Sequence, residues 1–545
     1  MNNSKYKSKF ALTTPLYYVN DVPHIGSAYT TMVADAVARF QRLQGKSVLL
    51  ITGTDEHGQK IERTAAENHV EPQVHCDRIA DGFKSLWSKL NIKYDRFSRT
   101  TAPAHQAIVN EFFERVWQQG DIYLDRQQGW YCVSCEEFKE ERDLLEDRYC
   151  AIHTNKQTEW RDEENYFFRL SKYQQYLEEL YASQPDFIEP SSRRNEVLNF
   201  VKQGLKDFSI SRVNLDWGFP VPIDKKHTIY VWFDALLGYV TALLEPDEQP
   251  TLDNALARWW PIDAHLIGKD ILRFHAVYWP AMLASAGLPL PKKVFGHGFL
   301  TKDGLKMGKT LGNTIDPFDL VDRYGADAVR YYFLAEIELG KDGDFNETRF
   351  IEVLNNDLAN VLGNSLNRTL GMLKKYCQST VPQLTSADYS ADHPLFSIGR
   401  DLGDRTAKAY ENLQTSQACQ AVLTLVRAIN KYIDDSAPWK LFKQGKQAEV
   451  ESILYAALES IRLSAYLLSP IIPGISSKIY QQLGFEWDFN RVNASPAVRQ
   501  GTVRQEGMPE NEDFLTHSQW GKLSTNKTLD KASPVFLKLE LPSED

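Results

Sequence analysis

From Lys9 to about Trp117 the chain alternates short apolar runs with longer amphipathic ones. Phe10 to Val19 is β-prone, and Pro23-His24-Ile25-Gly26-Ser27 reads as a turn. Residues 28–43 then carry Met32, Val33, Ala36, Val37 and Phe40 at a helical period. Gly45 follows as a helix C-terminal residue. The run SVLLIT, 47–52, reads as a buried strand. Strand, helix, strand in this order predicts a βαβ start and a parallel sheet. Ligand sites of such sheets lie beyond the carboxyl ends of the strands. The stretches NDVPHIGS and GTDEHG (53–58) both fall on that edge.

The texture changes between about Gly120 and Lys226, which is rich in Asp, Glu, Arg and Tyr and holds a cysteine cluster. Strand-to-helix transitions resume at 228–240 and 264–283, so residues 120–226 read as an insertion. The segment 293–313 predicts a strand, a glycine-rich turn and a lysine-rich loop. From about Asn355 to Gly484 the pattern is helical. Leu358, Leu362, Leu366 and Leu370 form one stripe. A second helix is expected over Ser416 to Asp434, ending before Pro438. A third carries Ile453, Ala457, Ile461 and Leu468, ahead of Pro470 and Pro473. The last sixty residues read as polar and irregular, closing on the apolar run PVFLKLEL.

Composition narrows the class. The chain has 545 residues, is 43% hydrophobic and 25% charged, and carries a net charge of −10. That balance suits several soluble domains and argues against a general nucleic-acid coat, though not against a local basic track. No apolar run approaches the ~20 residues of a membrane helix. The opening MNNSKYKSKF is too short and polar for a signal peptide, which predicts a cytoplasmic protein. Six cysteines do not make a disulfide framework. The spacing Cys132-x2-Cys135-x14-Cys150-x2-His153 instead pairs ligands on two tight turns, the pattern of a zinc knuckle. Four protein ligands close the shell, so this zinc would be structural. Cys76, Cys377 and Cys419 are isolated and read as core or surface residues.

Two elements suit phosphate. His24 and Ser27 lie three apart at a helix start and face the same way. Gly26 lets a ligand approach the backbone, and the helix N-terminus favours an anion. Taken alone, a plain N-cap with an exposed histidine explains the same residues. Further on, LKMGKT sets Lys306 and Lys309 on a loop beside Gly304 and Gly308. Paired ammoniums there can follow charge building on a leaving pyrophosphate, while the plain alternative is a solvated lysine loop.

In this order the two elements resemble the HIGH and KMSKS motifs of class I aminoacyl-tRNA synthetases. The stretches PLYYVNDVPHIG, GTDEHG, YVWFDALLGY, HLIGKDILRFHAVYWP and APWK, with the knuckle, resemble the methionyl-tRNA synthetase family across residues 9–485, in its form with a single zinc knuckle. Two positions depart from the motifs: Ser27 replaces the second HIGH histidine, and KMGKT replaces KMSKS. Ser27 can donate a hydrogen bond but carries no charge.

The resemblance implies an α/β, doubly wound parallel (Rossmann-like) catalytic domain with an inserted zinc-knuckle connective domain. An all-α anticodon-binding bundle would follow. The boundaries expected are 1–119 and 227–300 for the catalytic halves and 120–226 for the insertion, with the knuckle at 132–153. Residues 301–354 would form the KMSKS-like loop and stem-contact region, 355–485 the bundle and 486–545 a tail. The implied activity makes methionyl-adenylate from L-methionine and ATP, then charges the 3′-terminal ribose of tRNA(Met), initiator tRNA included. His24, Lys306 and Lys309 would be catalytic, binding ATP together with Gly26, Ser27 and Asp270, and Mg²⁺ would accompany ATP. Asp55 would pair with the methionine ammonium, and Arg212 would lie near its carboxylate. Leu16, Tyr18, Trp232, Ala235, Leu236, Tyr239, Ile271, Phe274 and His275 would line the side-chain pocket; without the resemblance, each aromatic reads as core. Asn364, Arg368 and Trp439 would read the anticodon, by an amide, a guanidinium and a stacking indole. Helical arithmetic alone makes Asn360, Asn364 and Arg368 a solvated face. No segment past Gly484 resembles a dimerising appendage, which predicts a monomer. Two other readings stay open here: a class I synthetase for another apolar amino acid, and a non-catalytic zinc-stabilised tRNA-binding paralogue.

Overall fold

The computed structural model describes residues 8–139, 141, 144–151, 156–307, 312–383, 390–490 and 514–541, with Lys306 described by its backbone alone. The expected ligand His153 and the lysine-loop residues Gly308 and Lys309 lie outside the described residues. Among described residues no helix is long and apolar enough to cross a membrane.

A six-stranded sheet forms the centre. Its spatial order is Arg96–Arg99, Ser47–Asp55, Lys9–Tyr18, Ala264–Gly268, Val294–His297, Ile188–Glu189, and every adjacent pair is parallel. The order reverses between Lys9–Tyr18 and Ala264–Gly268, which opens the crevice where doubly wound sheets take their ligands. One strand of this sheet, Ile188–Glu189, comes from within 120–226. That segment therefore returns briefly to the central sheet, because the apolar edge of Val294–His297 needs a partner.

The rest of the insertion is antiparallel. Ile122–Cys132 pairs with Glu159–Phe168 along a long ribbon, flanked by Glu137–Lys139 and Phe208–Ser209. Downstream, Leu300–Lys302 and Leu305–Lys306 make a hairpin that pairs in parallel with Gly343–Phe345.

The first helix, Ile25–Leu43, starts before the expected position 28 and is not amphipathic. Apart from Gly26 every residue in it is buried, including Asp35, Arg39, Gln41 and Arg42. Its polar positions face protein. Asp35 accepts Arg39 Nε at 2.6 Å, Arg330 Nη2 at 2.7 Å and the Lys93 N–H at 2.8 Å. Arg330 also donates to the carbonyls of Ile471 and Pro470, each at 2.8 Å, and Arg39 donates to those of Phe489 and Asn91. Burial raises the cost of ionising Asp35, but the two guanidiniums outweigh it and hold the carboxyl below its ordinary range.

The helical region follows the predicted stripe with one change. Asn355–Gly363 is wound as a π-helix, and α winding resumes over Asn364–Cys377. Leu358, Leu362, Leu366 and Leu370 are all buried. The other two predicted helices are Thr415–Ser436 and Gln447–Leu468. The described part of the tail is irregular apart from Phe514–His517, as the sequence reads, and it packs back on the bundle. Glu459 accepts the backbone N–H groups of Gly521, Lys522 and Leu523, and Asn355 exchanges two hydrogen bonds with the Leu539 backbone.

Replacing Asp35 by asparagine would leave Arg39 and Arg330 facing each other, buried and uncompensated. Breaking such a pair costs about 3–5 kcal/mol. Urea unfolding of Asp35→Asn is expected to show a clearly lowered midpoint; an unchanged midpoint contradicts the assigned role of this carboxylate.

Candidate active site

The strand Lys9–Tyr18 ends at the crevice, and the chain turns through Pro23 into the first helix. His24 is the N-cap, with extended φ/ψ of −117° and 169°. Its Nδ1 accepts the Gly26 N–H at 3.1 Å and the Ser27 N–H at 3.4 Å. Capping therefore uses Nδ1 as an acceptor, and the remaining ring proton sits on Nε2. Nε2 lies 3.4 Å from Ser27 Oγ, so the two motif positions do face one direction. The ring is exposed. The plain capping reading and the anion-binding reading thus describe one geometry: the cap holds Nε2–H beside the Ser27 hydroxyl on an exposed residue. Asp270 stands two residues past Ala264–Gly268, exposed on the other side of the strand-order reversal. The hairpin ending at Lys306 leads into the lysine loop.

Asp55 ends the strand Ser47–Asp55, opposite Tyr18 in register. Its Oδ1 is buried without a protein partner. Burial pushes this carboxyl well above its ordinary 3.8, helped by the nearby charges of Asp234, Glu136 and Glu56. Gly53, two residues earlier, is required: a Cβ there would lie 2.1 Å from the Ser98 carbonyl oxygen.

The expected pocket residues gather beside it. Trp232 and Phe274 stack at 3.8 Å and 5°. Trp232 meets His275 edge-on at 6.4 Å. Leu16 packs so close to Gly238 that a Cβ there would lie 2.3 Å from Leu16 Cδ1. Ala235 and Leu236 are buried on the adjoining turn. Tyr239 and His275 bond to each other. His275 Nδ1 lies 3.1 Å from the Ile271 carbonyl and Nε2 lies 2.8 Å from the Tyr239 hydroxyl. Burial holds His275 neutral, down at about 4. Nδ1–H therefore donates to the carbonyl and the tyrosine O–H donates to Nε2, so the pair satisfies itself and presents largely apolar surface.

Arg212 is buried, with Nη1 on Ser209 Oγ at 2.8 Å and on the Ser211 carbonyl at 2.7 Å. Its guanidinium lies 4.1 Å over the Tyr230 ring. Its charge bears on Glu136, the residue after Cys135. Glu136 accepts the Tyr18 hydroxyl at 2.7 Å and the Lys60 N–H at 2.8 Å. Gly58, at φ +115°, leaves the space this carboxylate occupies.

Sequence reasoning did not single out Glu136, nor a buried chain behind the pocket. Asp234 takes His57 Nδ1 at 2.6 Å and His105 Nε2 at 2.9 Å, and His105 Nδ1 meets Thr241 Oγ1 at 2.7 Å. Burial opposes its ionisation, but the two imidazoles bring Asp234 down to about 2. His57 and Asp234 lie inside the quoted stretches GTDEHG and YVWFDALLGY; their polar character amid apolar neighbours was the available signal.

The Sγ atoms of Cys132, Cys135 and Cys150 lie within 4.8 Å of one another, Cys135 to Cys150 at 3.6 Å, and none is disulfide-bonded. Three convergent thiols at this separation fit the edges of a tetrahedron with Zn–S bonds of about 2.3 Å. In the bundle, Arg368 lies 5.7 Å from the Trp439 ring and pairs with Asp434 at 2.5 Å. Asn364 is exposed one turn earlier on the same helix.

Known proteins are similar to this chain in sequence and in fold. The family described as "tRNA synthetases class I (M)" matches residues 10–147 and 141–370, and "Anticodon binding domain of methionyl tRNA ligase" matches 397–506. The methionine–tRNA ligase of Synechocystis sp. is 68% identical over 536 residues, covering 98% of each chain. That of Nostoc sp. is 66% identical, again covering 98% of each. The Mycobacterium tuberculosis methionyl-tRNA synthetase solved with methionyl-adenylate superposes with a TM-score of 0.87 at 38% identity, covering 97% of this chain and 99% of that one. The chain belongs to the methionyl-tRNA synthetase family, and its activity is that of a methionine–tRNA ligase.

Proposed function

We propose the following assignment of residues to the two steps of the ligase reaction. The observation that supports it is that His24, Asp55 and Asp270 all lie at or past the carboxyl ends of neighbouring parallel strands, on either side of the strand-order reversal. In the first step a methionine carboxylate oxygen attacks the α-phosphorus of ATP. The bond from that phosphorus to the bridging oxygen breaks, and pyrophosphate leaves. No protein nucleophile is needed; positioning and neutralisation of charge lower the barrier. His24 Nε2–H, the N-terminal end of the first helix, and Lys306 and Lys309 would neutralise the phosphates. Ser27 contributes a hydroxyl where the HIGH motif has an imidazole. Gly308 removes one hydroxyl and leaves both lysines. Asp270 binds on the nucleotide side. Mg²⁺ accompanies ATP and supplies further neutralisation of the triphosphate.

Asp55 receives the methionine ammonium. Arg212 acts on the carboxylate side through the Tyr18–Glu136 edge. Leu16, Tyr18, Trp232, Ala235, Leu236, Tyr239, Ile271, Phe274 and His275 take the thioether, whose polarizable sulfur sits well against aromatic rings. Because Tyr239 and His275 satisfy one another, a polar thiol gains no partner there, which disfavours homocysteine beyond the lost methyl contact.

In the second step the tRNA(Met) terminal ribose hydroxyl attacks the adenylate carbonyl and AMP leaves. Asn364, Arg368 and Trp439 read the anticodon, elongator and initiator alike. Zn²⁺ on Cys132, Cys135, Cys150 and His153 holds the knuckle and, through its turn, Glu136; it supplies structure rather than chemistry. As the sequence alone is read, the chain would act as a cytoplasmic monomer.

Three measurements test the assignment. His24→Asn keeps an N-cap acceptor and removes Nε2–H. Methionine-dependent ATP–pyrophosphate exchange is expected to fall by about 10²–10³ with KM for methionine near normal, and Lys309→Ala is expected to behave alike. Wild-type exchange in both variants would refute the phosphate assignment. Since Asp55 must be ionised to hold the ammonium and its carboxyl is raised above 3.8, KM for methionine should rise as pH falls from neutral into the acid range. Asp55→Asn should give a high KM with a flat profile. Trp439→Ala should impair aminoacylation and spare exchange; loss of both would make the indole structural.

A further inference from the structure

His297 ends the strand Val294–His297, in register with Gly268, and is 6% exposed. Its Nδ1 lies 2.8 Å from the carbonyl oxygen of Gly298, which fixes the ring proton on Nδ1. Nε2 is then an acceptor, and it lies 2.7 Å from Thr30 Oγ1. Thr30 sits one turn into the first helix, directly above Gly26, whose carbonyl is 3.1 Å from the same hydroxyl. The opposite assignment would need a cationic imidazole to avoid two acceptors meeting at Nδ1. Burial excludes that charge by bringing the ring down to about 4. The edge of Tyr29, 5.7 Å away, closes the ring on another side.

The next residues are equally fixed. A Cβ on Gly298 would lie 2.2 Å from the Lys341 carbonyl oxygen, so the backbone is clamped there. The Phe299 N–H donates to Asp342 Oδ1 at 2.8 Å, and Lys269 Nζ reaches the same carboxylate at 2.7 Å. The hairpin Leu300–Lys306 starts from this clamp. One imidazole thus joins three pieces: the first turn of the His24 helix, the strand end aligned with Gly268 ahead of Asp270, and the root of the lysine hairpin.

We propose that His297, through Thr30, is a positioning residue for adenylation, setting the His24 turn in register with the lysine arm. The proposal rests on the phosphate assignment above. It places neither residue on substrate. Its loss therefore shifts the alignment of cationic groups in the transition state and leaves the methionine pocket alone.

The test is ATP–pyrophosphate exchange on the full chain, with melting midpoints taken alongside. Thr30→Val keeps shape and removes the hydroxyl, and kcat is expected to fall about tenfold, with KM for methionine within about twofold of wild type. Thr30→Ser keeps the hydroxyl and should retain near wild-type kcat. His297→Leu should lose about as much kcat as Thr30→Val, and the double variant no more than the worse single, because both break one bridge. Wild-type kcat in Thr30→Val, equal losses in the valine and serine variants, or additive losses in the double would each overturn the proposal. His24→Asn separates the two failures. If it loses exchange while Thr30→Val does not, the bridge alone is wrong; if it too retains exchange, the phosphate assignment fails.

Discussion

The carboxylate of Asp35 is the interaction on which the architecture depends. It is fully buried and holds two guanidiniums and a backbone N–H. Those partners belong to the first helix, to the loop before Arg96–Arg99 and to the helix Ala326–Glu336, and through Arg330 and Arg39 they reach the backbone of the bundle. A buried ionic cluster of this kind is weak evidence for net stability, since an apolar replacement of equal shape can be as stable. What it fixes is geometry. A charge in the interior tolerates few arrangements of its partners, so the helix that begins at His24 has one angle relative to the sheet and one relative to the bundle.

Charge also organises the pocket. Four carboxylates, those of Asp55, Glu56, Glu136 and Asp234, crowd one region, and all are buried. Three have side-chain partners among the described residues. Glu56 takes a bidentate Arg99 at 2.7 and 2.9 Å, Asp234 takes two histidines, and Glu136 takes the Tyr18 hydroxyl and the Lys60 amide. Asp55 keeps an oxygen without a protein partner and feels the others as repulsion. Its neighbours thereby oppose its ionisation, as burial does.

The parallel sheet, the inserted segment and the helical bundle were all legible in the chain, because hydrophobic period and turn residues act locally. The positions of His24 and Asp55 at strand ends were legible from the local pattern, whereas the aromatics read as core without the family resemblance. Other features were not. The first helix looked one-sided because Asp35, Arg39 and Arg42 are charged, and only the distant Arg330 and Asp95 make those positions interior. The return of Ile188–Glu189 to the central sheet depends on an edge just over a hundred residues further on. Glu136 looked like one acid among many beside a cysteine; its role appears only when Tyr18 and Gly58 arrive from another domain half. Each of these depends on a pairing of high sequence separation, which local pattern cannot report.

The wide winding of Asn355–Gly363 has a consequence for how this family can vary in length. An i→i+5 stretch can absorb a one-residue insertion or deletion by exchanging with α winding, so the helical phase beyond Gly363 is preserved. The same change between Asn364 and Arg368 would swing the arginine about 100° around the axis, away from Trp439. The π-wound turns therefore act as a phase buffer: they let the preceding segment drift while Arg368 stays over Trp439.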